Sequence, residues 1–362
     1  MKLSERFGRL MEWLSGSLKK HPKLLFSISL FLKQYRFARA RLLRLLDIKG
    51  RTAWISAPAC AAHFARAGHP ESPKRIEAIE QALRKSALWH LMQKAEAPEV
   101  SDVQLARVHT RRYITSLENQ TPAEGTVKID EDTYLGRDTL SAARHGAGAA
   151  VKAVDMVMKK QAKNAFCAIR PPGHHAHADK ASGFCFINNA AVAAMHAVAE
   201  YHLQRVAIID FDLHHGDGTE DIFRDDPRVM FLSSFEHPLY PFSGTTFSGS
   251  NPNVIPLPMK AGDGSDTFRD LVRAKWLPQL AGFRPQLIIF SAGFDAHKDD
   301  TLGHLNLTEA DFEWLTKKIL LIANRCCHGR IVSILEGGYN LPSLAASAKA
   351  HLACLIKASP FM

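Results

Sequence analysis

From residue 51 onward, short runs of apolar and β-branched residues alternate with stretches of helical period. Thr52–Ser56, Ala165–Ile169, Val206–Ile209, Val229–Leu232, Leu287–Phe290 and Ile331–Leu335 read as strands that are apolar on both sides. Between them, Ile76, Ile79 and Leu83 share one face behind a helix start at Ser72-Pro73, and Thr139–Lys159 is Ala-rich and amphipathic. Asn189–His202 and Thr308–Asn324 are further helices, and the second opens with Thr308-Glu309-Ala310-Asp311, a capping-type start. This alternation predicts an α/β fold with a mostly parallel central sheet covered by helices on both faces. No internal repeat, low-complexity tract or long linker interrupts residues 51–362, which read as one large domain.

Residues 1–50 follow a different pattern, one or two basic, apolar helices. Their longest apolar run, Leu24–Leu32, is flanked by Lys23 and Lys33 and is far shorter than the ~20 residues that span a bilayer. No convincing small-residue cleavage site follows, which argues against a secretory signal. Three roles stay open for this extension: packing on its own catalytic domain or a sister subunit, anchoring at a membrane surface, and organelle targeting.

Charge follows the same division. The chain carries a net +10, but residues 1–50 hold twelve Lys/Arg against three Asp/Glu, a balance of +9, leaving +1 for the remainder. The body therefore lacks the basicity of a nucleic-acid reader, and no direct nucleic-acid partner is expected. Six scattered cysteines with no C-x-x-C pair point to a reducing compartment, the cytoplasm by default, and argue against a cysteine-based zinc site.

The ends of the strands hold the chemistry. In α/β sheets, sites form outside the carboxyl ends of the strands. Here those ends carry His174 and His175, then Asp210, Asp212, His214 and Asp217, then Asp295 and His297, then Glu336 and Tyr339. In extended backbone alternate side chains share a side, so Asp210, Asp212 and His214 can converge, with Asp295 as a further ligand from a neighbouring loop. An Asp/His/Asp set suits Zn2+ or Fe2+ and leaves a coordination position open. One such acid alone is more often an ion-pair partner or a helix cap. Burying this many acids and histidines without a role would cost several kcal/mol each.

Arg170–His177 (RPPGHHAH), Gly183–Asn189 (GFCFINN), Asp210–Gly218 (DFDLHHGDG), Ser291–His297 (SAGFDAH) and Glu336–Tyr339 (EGGY) resemble, in order, the signature blocks of the histone deacetylase superfamily. The RPPGHH and SAGFDAH forms are similar to its class II branch and bacterial amidohydrolase relatives, and His69–Arg75 (HPESPKR) to the opening of its domain. The resemblance covers about residues 51–355 and implies an arginase/deacetylase-like fold. It implies Asp212, His214 and Asp295 as metal ligands, His175 as general base and acid, and His174 as a stabiliser of charge. Asp210 and Asp217 would orient His174 and His175 respectively, and Tyr339 would donate to the oxyanion. His215 and His297 are expected to be structural partners, and Cys185 a packing residue.

The same resemblance implies a channel lined by Phe184 and Tyr240 around an acyl-lysine stem, with Arg75 on an acetate exit route. The segment before Tyr240 departs from the common form, in which a histidine stands at the position of Phe235. K+ or Na+ is implied around Asp210, Asp212 and Ser233, and a second such ion in the loop around Phe223, Asp226 and Val229. The leading expectation is hydrolysis of N-acetyl-lysine in a peptide or protein; the alternative is deacetylation of a small acylated amine such as an acetylpolyamine. Polyamine-selective relatives place a glutamate where this chain has Leu302, which favours acyl-lysine. A binuclear manganese ureohydrolase would need an Asp-x-Asp pair where Asp295-Ala296-His297 stands. A non-catalytic acyl-lysine binding module would have lost a ligand, a tandem histidine or Tyr339, and none is missing.

Overall fold

The computed structural model describes residues 51–86, 88–246 and 249–358; the expectations for residues 1–50 lie outside the described residues. Eight strands form one sheet in the order β2-β1-β5-β10-β9-β6-β7-β8. They are β1 (Thr52–Ser56), β2 (Met92–Glu96), β5 (Asn164–Cys167), β6 (Val206–Asp210), β7 (Val229–Glu236), β8 (Val254–Met259), β9 (Leu287–Ala292) and β10 (Ile331–Leu335). Every pairing within it is parallel. β3 (Thr126–Lys128) and β4 (Tyr134–Gly136) form a separate antiparallel pair. The segment expected as a strand to Ile169 leaves the ladder after Cys167, and the one expected to end at Leu232 continues to Glu236.

Successive residues of each central strand face opposite sides, which makes two cores. Ile55, Cys167, Ile208, Ile289 and Ile334 pack under α2 (Arg111–Gln120), α3 (Thr139–Met158) and α4 (Asn189–Tyr201). Trp54, Phe166, Ile209, Phe290 and Leu335 pack under α1 (Lys74–Lys85), α7 (Glu309–Cys326) and α8 (Leu341–Lys357). Each such buried side chain contributes ~1.5–3 kcal/mol of transfer free energy, which explains why strands apolar on both sides fold this way. α5 (Asp217–Phe223) follows β6, and α6 (Ser265–Leu271) follows β8. Among the described residues, no helix is long and apolar enough to cross a membrane. The middle of the sheet, β5-β10-β9-β6, sets side by side the four carboxyl ends from which the motif loops emerge.

Candidate active site

β6 ends in Asp210, and the next turn brings Asp212 and His214 to face Asp295 from the loop after β9. One potential ligand atom from each of Asp212, His214 and Asp295 lies within 4.8 Å of the others. His214 Nδ1 stands 3.1 Å from Asp212 Oδ1 and 3.3 Å from Asp295 Oδ2. Asp212 Oδ2 accepts from the Gly337 N–H at 2.8 Å, and Asp295 Oδ1 from the Leu213 N–H at 2.9 Å, so each carboxylate is aimed by a neighbouring loop's backbone. Both acids are 1% exposed. Asp295 Oδ2 is buried and accepts no hydrogen bond of ordinary geometry among the described residues. A cation would satisfy that oxygen, and the oxygen–nitrogen–oxygen donor set fits Zn2+ or Fe2+.

Glycine makes room for this cluster. A Cβ on Gly337 would lie 2.2 Å from Asp295 Oδ2 and 2.6 Å from Asp212 Oδ2, and one on Gly293 would lie 2.0 Å from Asp212 Oδ2. Charge is equally constrained. Burial pushes the Asp295 carboxyl up to about 7, and the charge of Asp212 adds to the shift. Burial opposes protonation of His214, but the carboxylates of Asp212 and Asp295 beside its Nδ1 carry it up to about 10. Burial also works against ionised Asp212, yet His174 and His214 hold it well below the carboxylate range. The pocket is one of concentrated negative charge that needs positive charge to balance it.

The tandem histidines sit beside it, their rings 4.0 Å apart between centroids. His174 Nδ1 is 3.0 Å from Asp210 Oδ2, and His175 Nδ1 is 2.7 Å from Asp217 Oδ1. Each Nδ1–H donates to its carboxylate, which fixes the ring and turns Nε2 away from the acid. Burial, then the charge of His174, lowers His175 to about 4 despite the pull of Asp217. Asp217 opens α5, so a helix start sets the His175 partner. On the other side, burial holds the Tyr339 phenol well above its ordinary value, against the effect of Arg75.

Arg75 is fully buried, with its guanidinium carbon 4.9 Å from the Tyr339 ring centroid. It donates from Nε to the Gly338 carbonyl at 2.7 Å and also to the Glu336 carbonyl, bracing the turn that carries Tyr339. Phe184 packs edge-on against His69 at 4.6 Å and Tyr339 at 5.9 Å between centroids. Tyr240, 37% exposed, lies 5.1 Å from the His175 ring and 6.3 Å from that of His214. Leu302 is partly buried against the core under α7 and α8. Ser233 is paired with Asp210 across β6–β7, and its hydroxyl is 3.0 Å from His215 Nδ1. The carbonyls of Phe223, Asp226 and Val229 do converge, on the side-chain nitrogen of Asn251, at 2.9 Å each. His215 bridges Ser233 and Glu220, His297 is 3% exposed, and Cys185 is fully buried, in line with structural roles.

Sequence reasoning passed over several supports. Glu71 lies between two buried guanidiniums, accepting from Arg75 Nη1 at 3.1 Å and from Arg170 Nε and Nη2 at 2.5 and 2.6 Å. Asp300 Oδ2 accepts the backbone N–H groups of Tyr339 and Asn340 at 2.7 and 2.9 Å, holding the Tyr339 turn from the β9 side. His177 connects Asp217 Oδ2 and Asp221 Oδ2, 3.2 Å from each. His177 had a visible signal as the third histidine of RPPGHHAH, and Glu71 stands inside HPESPKR; the partners that define Asp300 and the Glu71–Arg170 pair are far away in the chain.

Among known proteins, residues 69–355 match the histone deacetylase domain family. The chain is 38% identical over 299 residues to the chloroplastic histone deacetylase 10 of Oryza sativa subsp. japonica, an alignment covering 77% of this chain and 68% of that protein. It is 36% identical over 292 residues to the histone deacetylase-like amidohydrolase of Pseudomonas aeruginosa, covering 79% and 75% respectively. Longer relatives from Caenorhabditis elegans and Dictyostelium discoideum are spanned over only 31% and 21% of their length. The crystal structure of the HDA15 HD domain superposes with a TM-score of 0.79 at 32% identity, covering 85% of this chain and 88% of that one.

Proposed function

This chain belongs to the histone deacetylase family and is a metal-dependent amide hydrolase, and on that premise we propose that it removes an acyl group, most simply acetyl, from the side-chain amine of an acylated lysine in a peptide or protein. The observation that carries the reading is the Asp212–His214–Asp295 cluster, within 4.8 Å, beside two histidines whose Nδ1 atoms are already committed to carboxylates. Those three side chains would hold one Zn2+ or Fe2+. When bound, the cation supplies Lewis acidity toward the amide carbonyl and lowers the pKa of water toward neutrality.

The chain's own residues supply the remaining steps. His175, kept neutral by desolvation and the charge of His174 and oriented by Asp217, takes a proton from the attacking water on Nε2 and returns it to the departing amine. His174, paired with buried Asp210, stabilises the negative charge that develops beside it. Tyr339 keeps its phenolic proton and donates it as a hydrogen bond to the oxyanion. Phe184 and Tyr240 flank the aliphatic stem of the lysine and exclude water from it. Arg75, behind Tyr339, would guide the released carboxylate.

Leu302, apolar and partly buried, offers no charge to a second ammonium, which supports acyl-lysine over an acetylpolyamine. A kcat/KM panel on the metal-loaded full chain tests this with acetyl-lysine peptides, longer acyl-lysine peptides and acetylated polyamines. The expected result is preference for an acyl-lysine peptide. A polyamine preference above about tenfold, or ~1.4 kcal/mol of transition-state discrimination, overturns the substrate assignment while leaving the hydrolase chemistry in place.

A further inference from the structure

Asp217, the partner of His175, has a second oxygen, and a second histidine meets it. Asp217 Oδ1 lies 2.7 Å from His175 Nδ1, and Asp217 Oδ2 lies 3.2 Å from His177 Nε2. The other ring nitrogen of His177, Nδ1, is 3.2 Å from Asp221 Oδ2. With a carboxylate at each nitrogen both must donate, so the ring is an imidazolium; a neutral ring would turn a lone pair on one of the acids. Asp217 and Asp221 stand one turn apart on α5, where two like charges repel, and the cation lies between them. We propose, on the amide-hydrolase reading of the site, that His177 is a positioning residue for the reaction: its charged ring ties Asp217 to Asp221 and so holds His175 in its working orientation.

The backbone at His177 is held independently of its ring. The His177 N–H donates to the Lys180 carbonyl at 2.9 Å, and the His177 carbonyl accepts from His109 Nδ1 at 2.9 Å. His109 Nε2 in turn accepts the Asn188 N–H at 3.0 Å, so His109 is neutral, and burial lowers it to about 4. Changing the His177 ring therefore leaves the loop tied. The ring is half-buried, so solvent protons reach it. The charged groups facing it are Asp217 and Asp221 from α5, with Arg224 Nη1 3.7 Å from Asp221 Oδ1. Beyond Asp217 stand His175 and, 5.1 Å from the His175 ring, Tyr240; Asp179 and Lys180 are exposed in the loop of His177 itself. The bond to Asp217, then that to Asp221, raises His177 to about 9 against burial, and the same His177 bond lowers Asp221. Below that pH the two acids are joined. Above it one ring nitrogen has lost its proton, one carboxylate has lost its donor, and their mutual repulsion is no longer offset.

The test follows kcat and KM for an acetyl-lysine peptide from about pH 7 to about pH 10 on the metal-loaded full chain, for wild type, His177→Gln and His177→Arg. Alongside, proton NMR follows the downfield His175 Nδ1–H resonance, assigned by its loss in His175→Gln. In the wild type kcat is expected to fall about tenfold as pH rises through about 9, with little change in KM, and the resonance to shift over the same range. His177→Gln, uncharged and unable to serve both acids as a cation, is expected to start about tenfold lower in kcat and to lack that step. His177→Arg, a permanent cation whose planar fork suits carboxylates, is expected to recover most of the loss and also to lack the step; a ring that only filled space would not be rescued this way. Ionisations elsewhere in the site are common to all three chains. Superimposable pH profiles for the three, or a wild-type His175 resonance that does not move up to about pH 10, overturns the proposal, and the resonance decides alone if neither variant folds. A resonance that moves as expected in a wild type that hydrolyses no acyl-lysine peptide contradicts the substrate reading and leaves the His177 tie standing.

Discussion

At the scale of single residues, the site is a collection of buried charges, each held by a partner that the next loop supplies. Tyr339 is the clearest case of a group doing one job: Tyr339→Phe keeps the ring against Arg75 and Phe184 and removes only the donor. Its kcat is expected to fall about 10²–10³-fold with little change in KM, measured on an acetyl-lysine peptide. His177 has a measurable electrostatic role. Its bonds to Asp217 and Asp221 raise it from 6.5 to about 9. The folded state binds that proton more tightly than the unfolded one, so the stabilisation is complete below pH 6.5 and fades as pH rises through about 9. His177→Gln should therefore cost about 1–3 kcal/mol at pH 6 and much less at pH 10 by urea unfolding; an equal cost at both pH values would contradict the pairing. The motif residues were legible because their chemistry is compressed into five short blocks. Asp300 and Asn251 were not, nor was the pairing of Glu71 with Arg170, since an acid or amide in a loop gives no sign of partners that only folding brings near.

At the scale of elements, the strands read correctly were the central ones, whose runs are apolar on both sides. The two edge strands escaped for physical reasons. β2 (MQKAE) buries only Met92 and is otherwise half-buried or exposed, and it pairs only with β1, so its composition does not mark a strand. β8 (VIPLPM) carries Pro256 and Pro258, which a central strand would not tolerate but an edge strand can. The capping expectation at Thr308 has a specific basis. Asp311 Oδ2 accepts from the Thr308 N–H at 2.9 Å and the Ser265 hydroxyl at 2.7 Å, and Asp311 Oδ1 accepts from Arg269 Nε at 2.8 Å. Asp311→Ala should cost about 2–4 kcal/mol in denaturant unfolding, because it uncaps α7 and releases α6 together. The Gly337 turn is limited by space: Gly337→Ala drives a methyl into Asp295 and Asp212. It is expected to weaken divalent-metal affinity about 10–100-fold, read by competition with a chelating dye, and to lower stability by about 1–3 kcal/mol in denaturant unfolding.

At the scale of the whole molecule, the parallel order of the sheet does the positioning. Neighbouring strands β5, β10, β9 and β6 deliver the histidine pair, the tyrosine turn, Asp295 and the Asp212–His214 pair from one edge, although these residues are spread over nearly half the chain. The strand-and-helix alternation already implied that arrangement, and the eight-stranded parallel sheet bears it out. What the alternation could not give was strand order, because parallel connections leave neighbours in the sheet distant in sequence. The most direct test strips the full chain of metal, reloads it with Zn2+ or Fe2+, and counts bound metal against turnover of an acetyl-lysine peptide for wild type, Asp212→Ala and Asp295→Ala. The expected result is one equivalent of metal and restored turnover in the wild type, with both lost in each variant. A wild-type chain that turns over substrate without metal, or either variant retaining full turnover, would contradict a hydrolase built around that cluster.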